Sequence, residues 1–345
     1  MRIGVVGCGY WGSNHIRVLS MSSSVEQACV IDPRLERREH LSRAFPSVAC
    51  FASLAEALPH LDAVVIATPP STHTPLALQA MALGKHVLVE KPMATSVGEA
   101  VSMMSAAEQH DVVLMVGHTF EYNAAVWSLR DLIRAGSLGD VHYLDSARLN
   151  LGLYQPDVNV LWDLAPHDVS ICNHLLGAVP DVVSAWGRSH GRSAYEDVAY
   201  VRLQYDELDV TAQMHVSWLD PCKVRRVTVV GSKQMAVYND MASEEKLRIY
   251  DKGVGPADLA DTAPALLAGG QMSYRYGAIT SPFLPVQEPL SVQDEHFLEC
   301  IRTGAQPRTD GANGLAVVTV LSAATMSLQE QRPVRLAEVQ EMAAV

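Results

Sequence analysis

Residues Arg2 to Gly12 read Arg-Ile-Gly-Val-Val-Gly-Cys-Gly-Tyr-Trp-Gly, and this stretch constrains the fold more than any other. An apolar run (Ile3, Val5, Val6) stops at Gly7. Gly7, Gly9 and Gly12 then take the G-x-G-x-x-G spacing around Tyr10 and Trp11, and Ser13 to Leu19 continues with helical periodicity. The pattern is strand, tight turn, helix N-terminus. The first glycine makes the turn, the second lets the backbone approach a pyrophosphate, and the third lets helix and strand pack closely, with the helix dipole facing the phosphates. An ordinary strand-to-helix turn can carry the same glycines, so the context has to decide. A second apolar run, Ala28 to Ile31, ends in Asp32, twenty residues past Gly12, where a carboxylate would accept hydrogen bonds from an adenosine ribose. That carboxylate repels a 2′-phosphate and favours NAD, while Arg34 two residues on leaves room for NADP.

The βα rhythm continues. Helices are expected over Arg34–Phe45, Ser53–Leu58, Pro75–Leu83 and Ser96–His110, and strands over Val48–Phe51, Asp62–Thr68, His86–Glu90 and Val112–Gly117. Continuously apolar strands alternating with helices imply a doubly wound parallel sheet, with ligands at the edge formed by the strands' C-terminal ends. Two loops fall on that edge. In Thr68-Pro69-Pro70-Ser71-Thr72-His73, the residues Thr68, Pro69 and His73 are candidate dinucleotide contacts; the alternative is a proline-stiffened turn with a helix cap at Thr74. In Glu90-Lys91-Pro92, a lysine is delivered to the ligand edge by a buried strand. Partial desolvation and a nearby nicotinamide cation would both lower its pKa toward proton exchange. The alternative is a Glu–Lys pair that seals the sheet edge. A tight turn there also suits a cis Lys91–Pro92 bond.

After Gly117 the pattern changes, so domains are expected at 1–120 and 121–345. A helix from Ala124 to Ala135 precedes a mostly antiparallel set of strands from Val141 to about Asp251, with hairpins at Asp206-Glu207 and Gly231-Ser232-Lys233. One helix, Asp163 to Leu176, interrupts them. Asp163 is a good N-cap there, Pro166 is tolerable in the first turn, and Asp163 and His167 face the same way one turn apart. A carboxylate beside an imidazole fixes its tautomer and raises its basicity, as a general base needs, although Asp-x-x-x-His is common as a structural pair. Asp168 reads as a solvated first-turn acid. The segment 252–288, with Tyr274, Arg275 and Tyr276, reads as a long loop. Two helices, Val292–Arg302 and Asn313–Gln329, and a short strand, Val334–Leu336, precede a frayed tail.

Composition narrows the function. The chain has 345 residues, enough for two domains, and a net charge of −12 from 26 Lys+Arg against 38 Asp+Glu. Such a field argues against nucleic acid and anionic membrane partners. The six cysteines show no metal-ligand or C-x-x-C spacing, so no metal is expected; Cys8, Cys29, Cys50 and Cys172 read as small buried residues. The N-terminus is too glycine-rich for a signal peptide, and the apolar run Leu315–Met326 is too short to span a bilayer. A reducing cytoplasm is the expected compartment.

Taken in order, Gly7/Gly9/Gly12 with Asp32, Thr68 to His73, Glu90-Lys91-Pro92, Asp163…His167 and the ending Pro307-Arg308-Thr309-Asp310-Gly311 resemble the glucose–fructose oxidoreductase/inositol dehydrogenase/rhizopine-catabolism (Gfo/Idh/MocA) family. The resemblance implies a Rossmann domain followed by an α+β domain with a large open sheet whose exposed face makes dimers or tetramers. It implies a pyridine nucleotide, NAD or NADP, with Tyr10, Trp11 and Glu90 among the cofactor contacts. It also implies a Lys/Asp/His catalytic set at Lys91, Asp163 and His167. Arg148-Leu149-Asn150-Leu151-Gly152 and Val160 to Asp168 look most like members that oxidise carbon 3 of nucleotide-linked sugars. Arg148, Asn150, Tyr154 and His167 are then the expected substrate contacts. An inositol or free-sugar dehydrogenase is the alternative, and a non-enzymatic dinucleotide-binding regulator a second one, disfavoured because a pure binder has no use for Lys91, Asp163 and His167 together.

Overall fold

The computed structural model describes residues 1–343 except 153, 156–157, 192–194 and 257–271. The chain forms two compact units, one of residues 1–123, 286–326 and 335–345, the other of 124–285 and 327–334. The first crossing falls between Asn123 and Ala124, where 120/121 was expected, and the second unit is not the whole remainder of the chain.

In the first unit, strands β1 (Arg2–Val6), β2 (Gln27–Ile31), β3 (Ala49–Phe51), β4 (Ala63–Ile66), β5 (His86–Val89) and β6 (Leu114–Val116) alternate with helices α1 (Tyr10–Leu19), α2 (Leu35–Ala44), α3 (Leu54–Ala57), α4 (His73–Met81) and α5 (Val97–Gln109). The strands pair in parallel in the order β3-β2-β1-β4-β5-β6. Every residue of β4 is buried, because helices cover both faces. The order reverses between β1 and β4, and that switch point is where such sheets bind ligands. The far edge at β6 is blunted by the later chain. Val116 N–H donates to Thr309 O at 2.7 Å, the Thr309 hydroxyl donates back to Val116 O at 2.7 Å, and Met115 bridges Asp310.

The second unit contains α6 (Ala124–Arg134), β7 (Val141–Leu151), α7 (Val160–Leu176), β8 (Val182–Arg188), β9 (Val198–Tyr205), β10 (Val210–Ser217), β11 (Leu219–Gly231), β12 (Met235–Asn239), β13 (Leu247–Pro256) and β14 (Met272–Thr280). The chain closes with α8 (Pro289–Thr303), α9 (Gly311–Glu330), β15 (Val334–Arg335) and α10 (Leu336–Ala343). Among the described residues the second sheet runs β14-β13-β12-β11-β7-β10-β9-β8-β15, antiparallel apart from the parallel pair β7–β10 among the strands whose pairing is given. Both expected hairpins are present. Along β9 the burial alternates, with Ala199, Val201, Leu203 and Tyr205 inward and Tyr200 and Arg202 outward, so one face is packed and the other open.

Several expectations need correction. The segment 252–288 is not one long loop: Lys252–Pro256 ends β13, and Tyr274, Arg275 and Tyr276 lie in β14, paired with Val254, Gly253 and Lys252. Residues 257–271 of that segment lie outside the described residues. The tail is helical in α10, with Leu336 and Val339 buried. Helix α9, at 20 residues, is longer than the run suggested and apolar enough by length and composition to cross a membrane. Val317, Val318, Val320, Leu321, Ala323 and Ala324 are all within 1% of full burial, which is the pattern of a core helix. Cys50 is exposed rather than buried.

Candidate active site

The glycine turn has the geometry its spacing predicts. Gly7 sits at φ +92°, and a Cβ there would lie 2.7 Å from Ala67 O. A Cβ on Gly12 would lie 1.8 Å from Gly7 O, so helix and turn are in contact at that point. Gly9 differs: the nearest atom to an added Cβ is 3.8 Å away, so its outer side is open to a ligand backbone. Gly9 is the N-cap of α1, with no side-chain cap and no acidic residue in the first turn, so the helix's first amides remain for an anion. Tyr10 and Trp11 are exposed beside them, edge to face at 5.3 Å. These residues fit a dinucleotide.

Asp32, 1% exposed, ends β2 with Oδ2 accepting the Cys8 amide at 2.9 Å and Oδ1 accepting the Arg34 amide at 2.9 Å. Burial alone would raise its pKa, but the Arg34 side chain and the two amides more than offset this and hold it low. The same burial, with the Asp32 charge nearby, pushes the Cys8 thiol up to about 12, so it stays protonated. Arg34, Arg37 and Arg38 surround the carboxylate, with Arg38 Nη1 donating to Asp32 O at 2.5 Å. Removing the carboxylate would therefore leave cations beside the position expected for a ribose. Asp32→Ala should raise the KM for NAD about 10- to 100-fold and leave that for NADP unchanged or lower. An unchanged NAD/NADP ratio of kcat/KM would rule out the ribose contact.

At the strand ends, His73 is fully buried, with Nδ1 2.9 Å from Pro92 O and Nε2 2.9 Å from Thr68 O. It braces the two edge loops to each other, and this burial corrects the expectation of a cofactor contact. Burial lowers its pKa, so the neutral ring has one N–H for two carbonyls. Helix α4 starts at His73 without a side-chain cap, so Thr74 is not the cap. Thr68 and Pro69 are half-buried on the loop, where the Thr72 hydroxyl donates to Thr68 Oγ1 at 2.7 Å and lies 2.7 Å from Pro69 O.

The Lys91–Pro92 bond is cis, and Lys91 is half-buried. Glu90 is 6% exposed, so its carboxylate is not presented to a cofactor either. Its Oε2 accepts the Lys91 amide at 3.1 Å, and its Oε1 lies 3.1 Å from His15 Nε2. His15 Nδ1 meets Asp294 Oδ2 at 2.9 Å. Burial alone would lower the His15 pKa, but Asp294 and Glu90 outweigh it and raise it to about 10. At Glu90, burial is outweighed by His15, Lys91 and the Lys91 amide, so the acid is strengthened; at Asp294 burial prevails and the pKa rises. Sequence reasoning missed His15 and Asp294. An imidazole on the inner face of α1 was a visible sign, but its partner lies 279 residues away.

In the second unit, α7 starts three residues earlier than expected. Asn159 is its N-cap, accepting the Trp162 amide at 3.1 Å, and Pro166 lies inside the helix. Asp163 is thus a helical residue, not the cap, and stands one turn before His167, both half-buried. Asp163 Oδ2 accepts the indole N–H of Trp218 at 3.0 Å. Trp218 packs 5.3 Å from the ring of Tyr154, whose hydroxyl donates to Asp197 at 3.0 Å. Asp197, fully buried and not recognised from sequence, also takes the amides of His190 and Gly191 and the His190 ring. Burial opposes ionisation there, but those donors hold its pKa down to about 2. Asn150 is half-buried beside Gly152, whose amide donates to Trp218 O. Arg148 is different. It is 5% exposed, with Nε 2.6 Å from Asp168 Oδ2, and Ser146 donates to the same carboxylate at 2.5 Å. Asp168 is accordingly a buried ion-pair partner rather than a solvated acid, and Arg148 belongs to the strand–helix interface rather than to the substrate.

Comparison with known proteins agrees with this architecture. Residues 1–118 match the model of an oxidoreductase family with an NAD-binding Rossmann fold, and residues 126–237 match the GFO/IDH/MocA C-terminal domain. UDP-N-acetylglucosamine 3-dehydrogenase of Acidithiobacillus ferrooxidans is 31% identical over 328 residues, 92% of this chain and 94% of that protein. The chain belongs to the Gfo/Idh/MocA oxidoreductase family. Myo-inositol 2-dehydrogenase of Thermotoga maritima is 23% identical over 355 residues, covering 98% of this chain and 99% of its own. Among solved structures, GenD2 from gentamicin A biosynthesis in complex with NAD superposes with a TM-score of 0.80 at 25% identity, covering 97% and 96% of the two chains. This Gfo/Idh/MocA protein is an NAD-dependent oxidoreductase of the family's sugar and polyol dehydrogenases.

Proposed function

We propose that the enzyme oxidises a secondary hydroxyl of a nucleotide-linked sugar, carbon 3 of a UDP-N-acetylglucosamine type, with NAD as its cofactor. The observation that carries this reading is the start of α7, where Asp163 and His167 stand one turn apart beside Trp218 and Tyr154. The 31% identity to a nucleotide-sugar 3-dehydrogenase supports the substrate class. When bound, NAD supplies the two-electron chemistry as the hydride acceptor. His167 takes the hydroxyl proton, with Asp163 one turn before it on α7 as the residue that orients the ring. Lys91, at the strand-end edge of the first unit, stabilises alkoxide character as the C–H bond weakens. Asn150 and Tyr154 hold the sugar; the Tyr154 ring is 40% exposed while its hydroxyl is anchored on Asp197.

The relative that oxidises myo-inositol, matched end to end, supports a second reading, a cyclitol dehydrogenase. A panel of UDP-sugars, free sugars and inositols with NAD, followed at 340 nm, separates the two. The expected result is kcat/KM higher for a UDP-N-acetylhexosamine than for any inositol by about 10²-fold or more. A cyclitol at the top of the panel would replace the first reading with the second.

A homodimer or homotetramer, formed through the open face of the second sheet, fits the row of rings across β8, β9 and β10. There Trp186 lies 5.9 Å from Tyr200, and Tyr200 stacks on His215 at 4.1 Å. Light scattering decides its state against a monomer mass of 37.4 kDa. The six unpaired thiols fit a reducing cytoplasm.

A further inference from the structure

Beneath Lys91 lies a buried row of three ionisable groups that the reaction scheme does not use. His15, fully buried on α1, stands between Asp294 of α8 at 2.9 Å and Glu90, after β5, at 3.1 Å. Each ring nitrogen thus faces a carboxylate oxygen. A neutral imidazole has one N–H and would set its lone pair against the other carboxylate; with both acids ionised, only the imidazolium satisfies both. The far side of Glu90 is closed by Gly117, where an added Cβ would fall 3.1 Å from the carboxylate carbon. Glu90 is thus packed between His15 and Gly117, with Oε2 accepting the Lys91 amide. Two carboxylates and one imidazolium leave a net single negative charge, and the Glu90 carboxylate also feels the charge of Lys91.

We propose that His15 is a positioning residue for Lys91: as a buried cation held by Asp294, it fixes the Glu90 carboxylate on the Lys91 amide and sets the charge that the lysine faces. This rests on the proposed role of Lys91 and extends it to a residue that touches neither substrate nor cofactor. The physical advantage is rigidity. His15 is on the same helix whose first turn faces the cofactor phosphates, so Lys91 and the cofactor are referenced to one element. Displacements of about 1 Å at a reacting group are enough to cost about 10²-fold in rate. The raised His15 pKa agrees with the geometry. Other charged or titratable groups around the row are Arg17 of α1, which pairs with Glu288 and feels the charge of Asp294, and His73 and His118, which both feel Glu90 and Lys91; Glu121 lies 4.0 Å from His118.

The test has two arms. Ring ¹⁵N spectra of histidine-labelled full-length protein at pH 8 should show His15 with both nitrogens protonated, whereas an ordinary histidine is neutral there. A neutral tautomer at pH 8 overturns the proposal. In steady-state kinetics, His15→Gln should lower kcat about 10- to 100-fold with the KM for NAD changed far less. Loss of the cation leaves the row beside the reacting groups more negative, so the midpoint of the kcat–pH profile should move as well. Unchanged kcat and midpoint overturn the proposal. If His15→Gln does not fold, Asp294→Asn keeps the shape, removes one of the two anions that hold the cation, and should move the same two quantities in the folded enzyme; no movement is again fatal. The outcomes are separable from those of the proposed function. A Lys91→Ala enzyme with wild-type turnover would end the assigned role of Lys91 and leave the His15 spectrum as it is.

Discussion

Lys91→Ala lowers kcat roughly 10²–10⁴-fold, about 3–5 kcal/mol of transition-state stabilisation, while the NAD dissociation constant stays within about threefold of wild type. The split follows from where the lysine stands. It follows a buried strand, its amide is pinned by Glu90, and the turn proposed to hold the cofactor's phosphates is a different element, the first turn of α1. Removing the ammonium takes away a donor to the reacting oxygen without touching the glycine turn. Two further variants separate charge from packing. Lys91→Met keeps most of the stem and should be as slow as Ala. Lys91→Arg keeps a cation that does not release a proton near neutral pH. An Arg variant that retains most of the rate assigns Lys91 to electrostatic stabilisation, and one as slow as Met assigns it to proton exchange. Initial rates at 340 nm and calorimetric NAD titration measure both quantities, and wild-type turnover in the Ala variant would remove Lys91 from the reaction.

The second large effect is at Gly12. By helix propensity alone, Gly12→Ala inside α1 should stabilise the chain by about 1 kcal/mol. The contact decides otherwise: the new Cβ would stand 1.8 Å from Gly7 O, a backbone atom that cannot rotate away. Helix and turn must separate, at a cost of about 3 kcal/mol in unfolding free energy. Because the displaced atoms form the turn proposed to cradle the dinucleotide, NAD affinity should also fall at least about tenfold, or 1.4 kcal/mol. Gly9→Ala is the counterpart. Gly9 has φ −78°, which alanine adopts freely, and space for the methyl. Its stability should stay within about 0.5 kcal/mol of wild type, with the affinity loss remaining, because the space it fills is the ligand's. Urea unfolding and calorimetry on both variants test the pair. Equal stability of Gly12→Ala and wild type would mean that the close packing is absent in solution.

Much of the site was legible in the sequence because it depends on local pattern. Gly7, Gly9 and Gly12 follow an apolar strand and open a helix, and each has the environment its place in the motif implies. Asp32 ends the next strand and Lys91 a later one, and strand ends in a parallel sheet share an edge whatever the rest of the chain does. Where the local pattern was ambiguous, it misled. Asp163 looked like an N-cap, but Asn159 is a capping residue too and lies upstream, so the helix starts there. Glu90 and His73 looked like ligand contacts because their neighbours face the edge. Both are buried, one on His15 and the other between two carbonyls.

From sequence alone came the alternation of apolar strands with helices, the switch to hairpins after Gly117 and the glycine turn, all properties of residues within a few turns of each other. The tertiary structure alone decided that α8 and most of α9 belong with the Rossmann sheet, that Asp168 is buried against Arg148, and that His15 lies between two acids. The physical reason is that periodicity records which face of an element is apolar. The charge of a buried group instead depends on what distant segments bring within about 3 Å of it.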